Sequence, residues 1–156
     1  EILVPTGNVL RERTGAIILS NLQAVGVQAR IQRLDFPSLL ARVFADDYDL
    51  ALVGWTDTFD PDHVSSTFQT GGQYNLANFS DPEVDALIEA AGAERDPAKR
   101  KVLYDELQVV LQEKVPVIFL YYPNMLAAVS DRLINADPDI FYFESRAYQW
   151  DIREGN

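Results

Sequence analysis

VQARIQRLDFPSLLARVFADDYDLALVGW, residues 27–55, contains two changes of hydrophobic period, and these decide the fold class. Val27–Gln32 alternates apolar and polar residues, the pattern of a strand with one wet face. Asp35 then supplies an N-cap, Pro37 suits a first helical turn, and Phe36, Leu39, Leu40, Val43 and Phe44 recur at helical spacing as a buried stripe. After an Asp46-Asp47 turn, Leu50-Ala51-Leu52-Val53 runs without alternation, as a central strand covered on both faces does. Strand, short helical crossover and strand predict a parallel pair with a right-handed connection. The fold class that follows is α/β, a mostly parallel sheet flanked by helices.

Upstream, Ile2–Val4 is a short apolar start. Asn8 then opens a helix whose Leu10, Ile17, Ile18, Leu22 and Val25 share one face until Gly26 ends it. Downstream, Ser80-Asp81-Pro82-Glu83 reads as a capping box ahead of a helix with Val84, Leu87, Ile88 and Ala91 inward. A second helix starts at Asp96-Pro97, turns Leu103, Leu107, Val110 and Leu111 inward, and stops before Pro116. Its Lys99, Arg100 and Lys101 are expected on a solvated face. Val117–Tyr122 reads as a strand, and Leu126–Val129 as another after the Pro123-Asn124 turn. From Ser130 the texture changes: Asp, Asn and Pro interrupt, then Phe141, Tyr142, Phe143, Tyr148 and Trp150 follow without evident partner strands.

A chain of 156 residues fits one ordinary domain. Its 13 Lys plus Arg against 24 Asp plus Glu, a net charge of −11, argue against nucleic acid and anionic membrane surfaces, whose phosphates recruit basic side chains. With 47% hydrophobic residues the acidity belongs to a folding chain rather than a disordered one. No apolar run approaches the roughly 18–20 residues of a membrane span. The absence of cysteine excludes disulfides, thiolate metal sites and a cysteine nucleophile. The chain starts at Glu1 with no signal-peptide pattern, so it is expected to be either processed or cut from something longer.

Catalytic signals are sparse. His63 is the one histidine, and no Gly-x-Ser-x-Gly elbow accompanies it. Asp57 and Asp60 are close enough in sequence to suggest a carboxylate-based hydrolase as an alternative. Asp57, Asp60, Asp62 and His63 offer metal ligands, yet the calcium-loop spacing fails, with no glycine at its sixth position and Phe68 at its twelfth. Gly71-Gly72 lies in a polar connection and not at a phosphate-cradling helix start, and no cofactor is expected. Asp60-Pro61-Asp62 reads as a turn that N-caps a short helix through Val64 and Phe68. Position gives the stronger signal. Ligands of open parallel sheets bind at the carboxyl ends of strands, where Trp55-Thr56-Asp57 lies. An aromatic face beside carboxylates suits a ligand with an extended body and a cationic group. Simple core packing is the alternative for Trp55.

An apolar strand, Gly54-Trp55, an acidic loop and Asp60-Pro61 come first. Gly71-Gly72-Gln73-Tyr74-Asn75, Phe79-Ser80-Asp81-Pro82-Glu83-Val84-Asp85-Ala86-Leu87, Arg100 to Tyr104, and Pro116-Val117-Ile118-Phe119-Leu120-Tyr121 follow in that order. This succession resembles the family 5 extracellular solute-binding proteins, the peptide, oligopeptide and nickel receptors of bacterial ABC importers. The resemblance implies a two-lobed type II periplasmic-binding-protein fold that closes by hinge motion. Residues 1–128 would be the C-terminal, second lobe, and 129–156 a tail returning to the first. The implied partners are a small solute such as a peptide, the permease subunits and the missing N-terminal lobe, with a dimer through the 129–156 tail when that lobe is absent. The implied location is periplasmic or extracellular, with a lipid anchor as an option in the intact protein. The ligand-binding set is Trp55 as a wall, Thr56 through its backbone, Asp57 pairing a cation, and Asp60 shaping the loop. Asp57 follows Trp55 one residue sooner than in peptide receptors, and the spacing from Gly54-Trp55 to Asp60-Pro61 is closer to nickel-receptor-like members. A nickel or metallophore receptor is therefore the alternative within the family. Transport without chemistry is the expected function.

Overall fold

Strand β1, Ile2–Pro5, is buried at all four positions and holds the middle of a three-stranded sheet. The computed structural model of this chain describes residues 1–55, 60–124, 126–137 and 146–153. The chain divides into two compact units, residues 1–117 and 118–156. In the first, β2 (Ile31–Leu34) and β3 (Leu50–Ala51) flank β1 and run parallel to it, with Ile2 opposite both Ile31 and Leu50. The parallel sheet is as expected, but its centre is not. Leu50–Val53 was read as the central strand, whereas β3 is a two-residue edge of the described sheet with Leu50 exposed. Side chains of β1 point alternately to the two faces, and helices cover both.

Helix α1 (Val9–Ala24) covers one face. Asn8 caps it by accepting the Arg11 amide at 3.0 Å. Its buried residue is Gly15, where a Cβ would lie 2.8 Å from Val4 Cγ2. That contact turns Leu10, Ile17 and Val25 outward and leaves Ile18 and Leu22 half-buried, so the predicted inner face is rotated. A glycine-centred contact adds nothing to an apolar stripe, which is why the stripe misled. The helix ends in a Schellman motif: the amide of Gly26, at φ +84°, donates to Gln23 O and that of Val27 to Leu22 O. Closing α1 occupies the Val27 amide, so the strand expected from Val27 begins only at Ile31.

Helix α2 (Phe36–Phe44) covers the other face. Asp35 caps it through the Ser38 amide at 2.9 Å, and Leu39 and Val43 pack on Leu3. The five apolar positions read as one stripe form two rows. Leu39 and Val43 face the sheet, while Phe36 and Phe44 on the neighbouring row stay exposed and Leu40 half-buried.

A second core joins α3 (Val64–Phe68), α4 (Pro82–Ala93) and α5 (Pro97–Lys114) around Phe68, Val84, Ile88, Tyr104, Leu107 and Leu111. Asp81, not Ser80, caps α4, accepting the Glu83 amide at 3.0 Å, because the Ser80 hydroxyl is taken by Thr70 Oγ1. Asp96 caps α5 as expected. The helix stops at Val115, which adopts the left-handed conformation at φ 51° before Pro116.

Among the described residues no strand is found at 117–122 or 126–129, where two were expected. Among the described residues of the second unit, the regular structure is the two-residue antiparallel pair β4 (Leu133–Ile134) with β5 (Asp151–Ile152) and a short 3₁₀ turn at Ala147–Gln149 ahead of β5. Phe141, Tyr142 and Phe143 lie outside the described residues. Among the described residues, no helix is long and apolar enough to cross a membrane.

Candidate functional site

All three strands of the first unit end on the same side, and the segments that leave them meet there. The chain passes from β1 into α1 through Gly7 and Asn8, from β2 into α2 at Asp35, and from β3 to Gly54-Trp55. Phe36, Leu40, Phe44, Val53, Gly54, Trp55, Tyr74 and Leu76 line an open apolar hollow of about 210 Å³ at this edge. Trp55 is 36% exposed, a rim residue with one face on the hollow. Thr56 and Asp57, with Thr58 and Phe59, lie outside the described residues.

The far wall of the hollow comes from the segment after α3, and the Gly-Gly-Gln-Tyr-Asn stretch builds it. Gly71 takes φ +74°, and a Cβ on Gly72 would lie 2.6 Å from Ser66 O, so both glycines are required by the turn. The Asn75 side chain donates to Gln69 O at 3.0 Å and Phe79 O at 2.7 Å and accepts the Phe79 amide at 3.0 Å. The Tyr74 amide donates to Ser66 O at 2.7 Å. Tyr48 donates its hydroxyl to Leu76 O, and partial burial pushes its phenol pKa up. These bonds hold Tyr74 and Leu76 facing Phe36 across the hollow.

Asp60 sits at the other end of the acidic loop and is committed to a partner. Arg100 Nη2 donates to Asp60 Oδ1 at 2.7 Å and Nη1 to Oδ2 at 3.4 Å, while the Asp62 amide donates to Oδ1 at 2.9 Å. The Arg100 hydrogen bond, then the Asp62 amide, hold the Asp60 carboxyl below the usual carboxylate range. The same contact raises the Arg100 guanidinium. Arg100 also donates Nε to Ala91 O at 3.1 Å, donates Nη2 to Tyr104 Oη at 3.2 Å, and lies over the Tyr104 ring at 5.2 Å. Tyr104 donates to Asp62 Oδ1 at 3.4 Å, and its phenol pKa is raised by burial, with Arg100 opposing. Arg100, expected on a solvated face, therefore ties the loop to the end of α4 and to α5. The pair holds the Asp60 carboxylate at the start of the Pro61–His63 turn.

Among the described residues, no three His, Asp or Glu side chains converge as a metal site would require. Sequence reasoning also missed Phe36, Phe44 and Tyr74, which line the hollow, and Arg11, whose guanidinium carbon stands 5.9 Å from the Phe36 ring centre. The available signal was the second row of α2, since Phe36, Leu40 and Phe44 recur every four residues on a helix already anchored by Leu39 and Val43.

No family model matches the chain. Among curated proteins it is 36% identical over 115 residues to a di/tripeptide-binding protein of Pseudomonas aeruginosa, Di/tripeptide-binding protein 4, covering 70% of this chain and 21% of that protein. It is 32% identical over 111 residues to the probable ABC transporter periplasmic-binding protein SapA of Escherichia coli, covering 68% of this chain and 20% of that one. Both relatives are named as binding proteins. The chain spans about a fifth of the length of these relatives. Among solved structures it superposes on the oligopeptide-binding protein AppA of Bacillus subtilis, determined with a nonapeptide, with a TM-score of 0.84 at 20% identity, over 98% of this chain and 31% of that one. The flanked parallel sheet is that of the type II periplasmic binding proteins. In sequence and in fold, this chain belongs to the family 5 extracellular solute-binding proteins of ABC importers and matches a segment of them.

Proposed function

We propose that this chain is part of the second lobe of a peptide receptor serving an ABC importer, with residues 129–156 returning toward the first lobe. The receptor holds its solute for the permease, in the periplasm or outside the cell, and performs no chemistry on it. The observation that carries this reading is the pairing of an open apolar hollow, with Trp55 and Phe36 at the carboxyl end of the sheet, with a neighbouring carboxylate already spent on structure. A hydrolase using Asp60 as acid or base needs that group free and near neutral pKa, and its ion pair drives the pKa the other way. Trp55, Thr56 and Asp57 remain the proposed contacts to the peptide, as wall, backbone partner and ammonium ligand respectively.

Native mass spectrometry of the full-length protein, purified without added solute, tests the reading. The expected result is a co-purifying peptide that is lost on partial unfolding. A stoichiometric metal complex retained in its place, or turnover of an added peptide, would overturn it.

A further inference from the structure

We propose that Tyr48 is a positioning residue for ligand selection: by fixing the Leu76 carbonyl it sets the width of the apolar hollow, and with it the size of side chain the hollow takes. This rests on the peptide-receptor reading and concerns which peptides the receptor prefers.

The two walls of the hollow belong to different parts of the first unit. Phe36, Leu40 and Phe44 stand on α2, whose Leu39 and Val43 pack on Leu3 of the sheet. Tyr74 and Leu76 stand on the segment after α3, which the Tyr74 amide ties to Ser66 O and the Asn75 side chain to Gln69 O and Phe79 O. That wall is therefore built from the α3 side, and the sheet core and the helical core share no buried residue. Leu76 rests against the sheet core through apolar contact, which is non-directional and does not by itself fix the spacing of the walls.

Tyr48 supplies the missing direction. It lies between α2 and β3 and packs, half-buried, against the core of Leu3, Leu39 and Val43. From there its hydroxyl donates to Leu76 O, 28 residues along the chain. Among the described residues, no other hydrogen bond joins residues 1–55 to residues 60–117. The Leu76 amide donates to Tyr74 O at 2.9 Å, so the backbone is held on both sides of the Leu76 side chain. Burial, and Asp46 after it, push the Tyr48 phenol pKa up, so the hydroxyl keeps at neutral pH the proton it donates. A Leu76 carbonyl released from this bond turns to water, and its wall is then free to move away from α2. A hollow of fixed width rewards the side chain that fills it, because a gap forfeits dispersion contacts. A hollow with a moving wall discriminates less.

The test is calorimetry on the full-length protein with trialanine and trileucine as probes, comparing wild type with Tyr48→Phe, which keeps the ring and loses the hydroxyl. A homotripeptide offers the hollow the same side chain whichever of its residues lies there. In wild type, trileucine is expected to bind about tenfold or more tightly than trialanine, through burial of the larger side chain. Tyr48→Phe should cut that ratio by about two- to tenfold, the worth of one hydrogen bond, with the loss falling on trileucine and trialanine nearly unchanged. Tyr48→Met, likewise without a hydroxyl, should do the same, and it serves as the readout if the phenylalanine variant fails to fold. A tyrosine that acts on stability alone would leave the ratio intact, because loss of folded protein lowers the binding of both peptides alike, so an unchanged ratio overturns the proposal. Trileucine binding no tighter than trialanine in wild type also overturns it, while leaving the peptide-receptor reading in place. A wild-type protein that binds neither peptide overturns that reading, and this proposal with it.

Discussion

Arg100 reaches across 40 residues of sequence to meet the Asp60 carboxylate with both guanidinium nitrogens, the shorter bond at 2.7 Å. Because the folded carboxyl pKa lies below its unfolded value, the stabilisation is complete above the ordinary Asp value of about 3.9 and is lost as pH falls through the depressed folded value. Asp60→Asn is expected to lower the urea midpoint at neutral pH. The difference from wild type should shrink as the titration passes into acid. Urea midpoints across that range check this, and a gap that persists at the acid end would assign the loss to something other than the ion pair.

A Cβ at Gly15 would lie 2.8 Å from Val4 Cγ2, so α1 meets the sheet there without room for a side chain. Gly15→Ala gains about 1 kcal/mol of helix propensity but overpacks the contact, at about 1–3 kcal/mol, so the net expectation is destabilisation. The sharper expectation comes from a double-mutant cycle, in which Gly15→Ala is better tolerated in a Val4→Ala background, where the clashing Cγ2 is gone. Equal penalties in the two backgrounds would place the cost elsewhere.

Val115 holds a β-branched side chain at φ 51°, a conformation that costs an L-residue about 1–2 kcal/mol and glycine almost nothing. Glycine's larger unfolded-state entropy offsets part of the relief, so Val115→Gly is expected to stabilise by roughly 1 kcal/mol. Val115→Ala keeps a Cβ in the same region and should gain little. Thermal and urea denaturation of the two variants decide it, and a destabilised Val115→Gly would mean that the valine side chain contributes more than its conformation costs.

What the sequence revealed was local chemistry. Asn8, Asp35 and Asp96 announce helix starts because a cap acts over three residues, and the structure places each cap where its residue stands. Ser80 misled by a single position because Thr70, ten residues away, takes its hydroxyl. The central place of β1 was not legible, since four apolar residues say nothing about which strands will flank them. Arg100 looked solvated beside Lys99 and Lys101, and its partners at Asp60 and Ala91 become visible only when α4 and α5 fold against the loop. The candidate site followed the same rule. Trp55 was placed at a strand end by pattern, while Phe36, Tyr74 and Arg11 join it through tertiary packing that leaves no periodic trace.

The central position of β1 also sets a kinetic order. Ile2 must wait for Leu50, 48 positions later, before the third strand can dock, whereas α4 and α5 are separated by only the residues 94–96. Closing the longer loop costs about 2 kcal/mol more in chain entropy. The helical half of the first unit is thus the faster folder, and the strand that organises the sheet is among the last to acquire both neighbours.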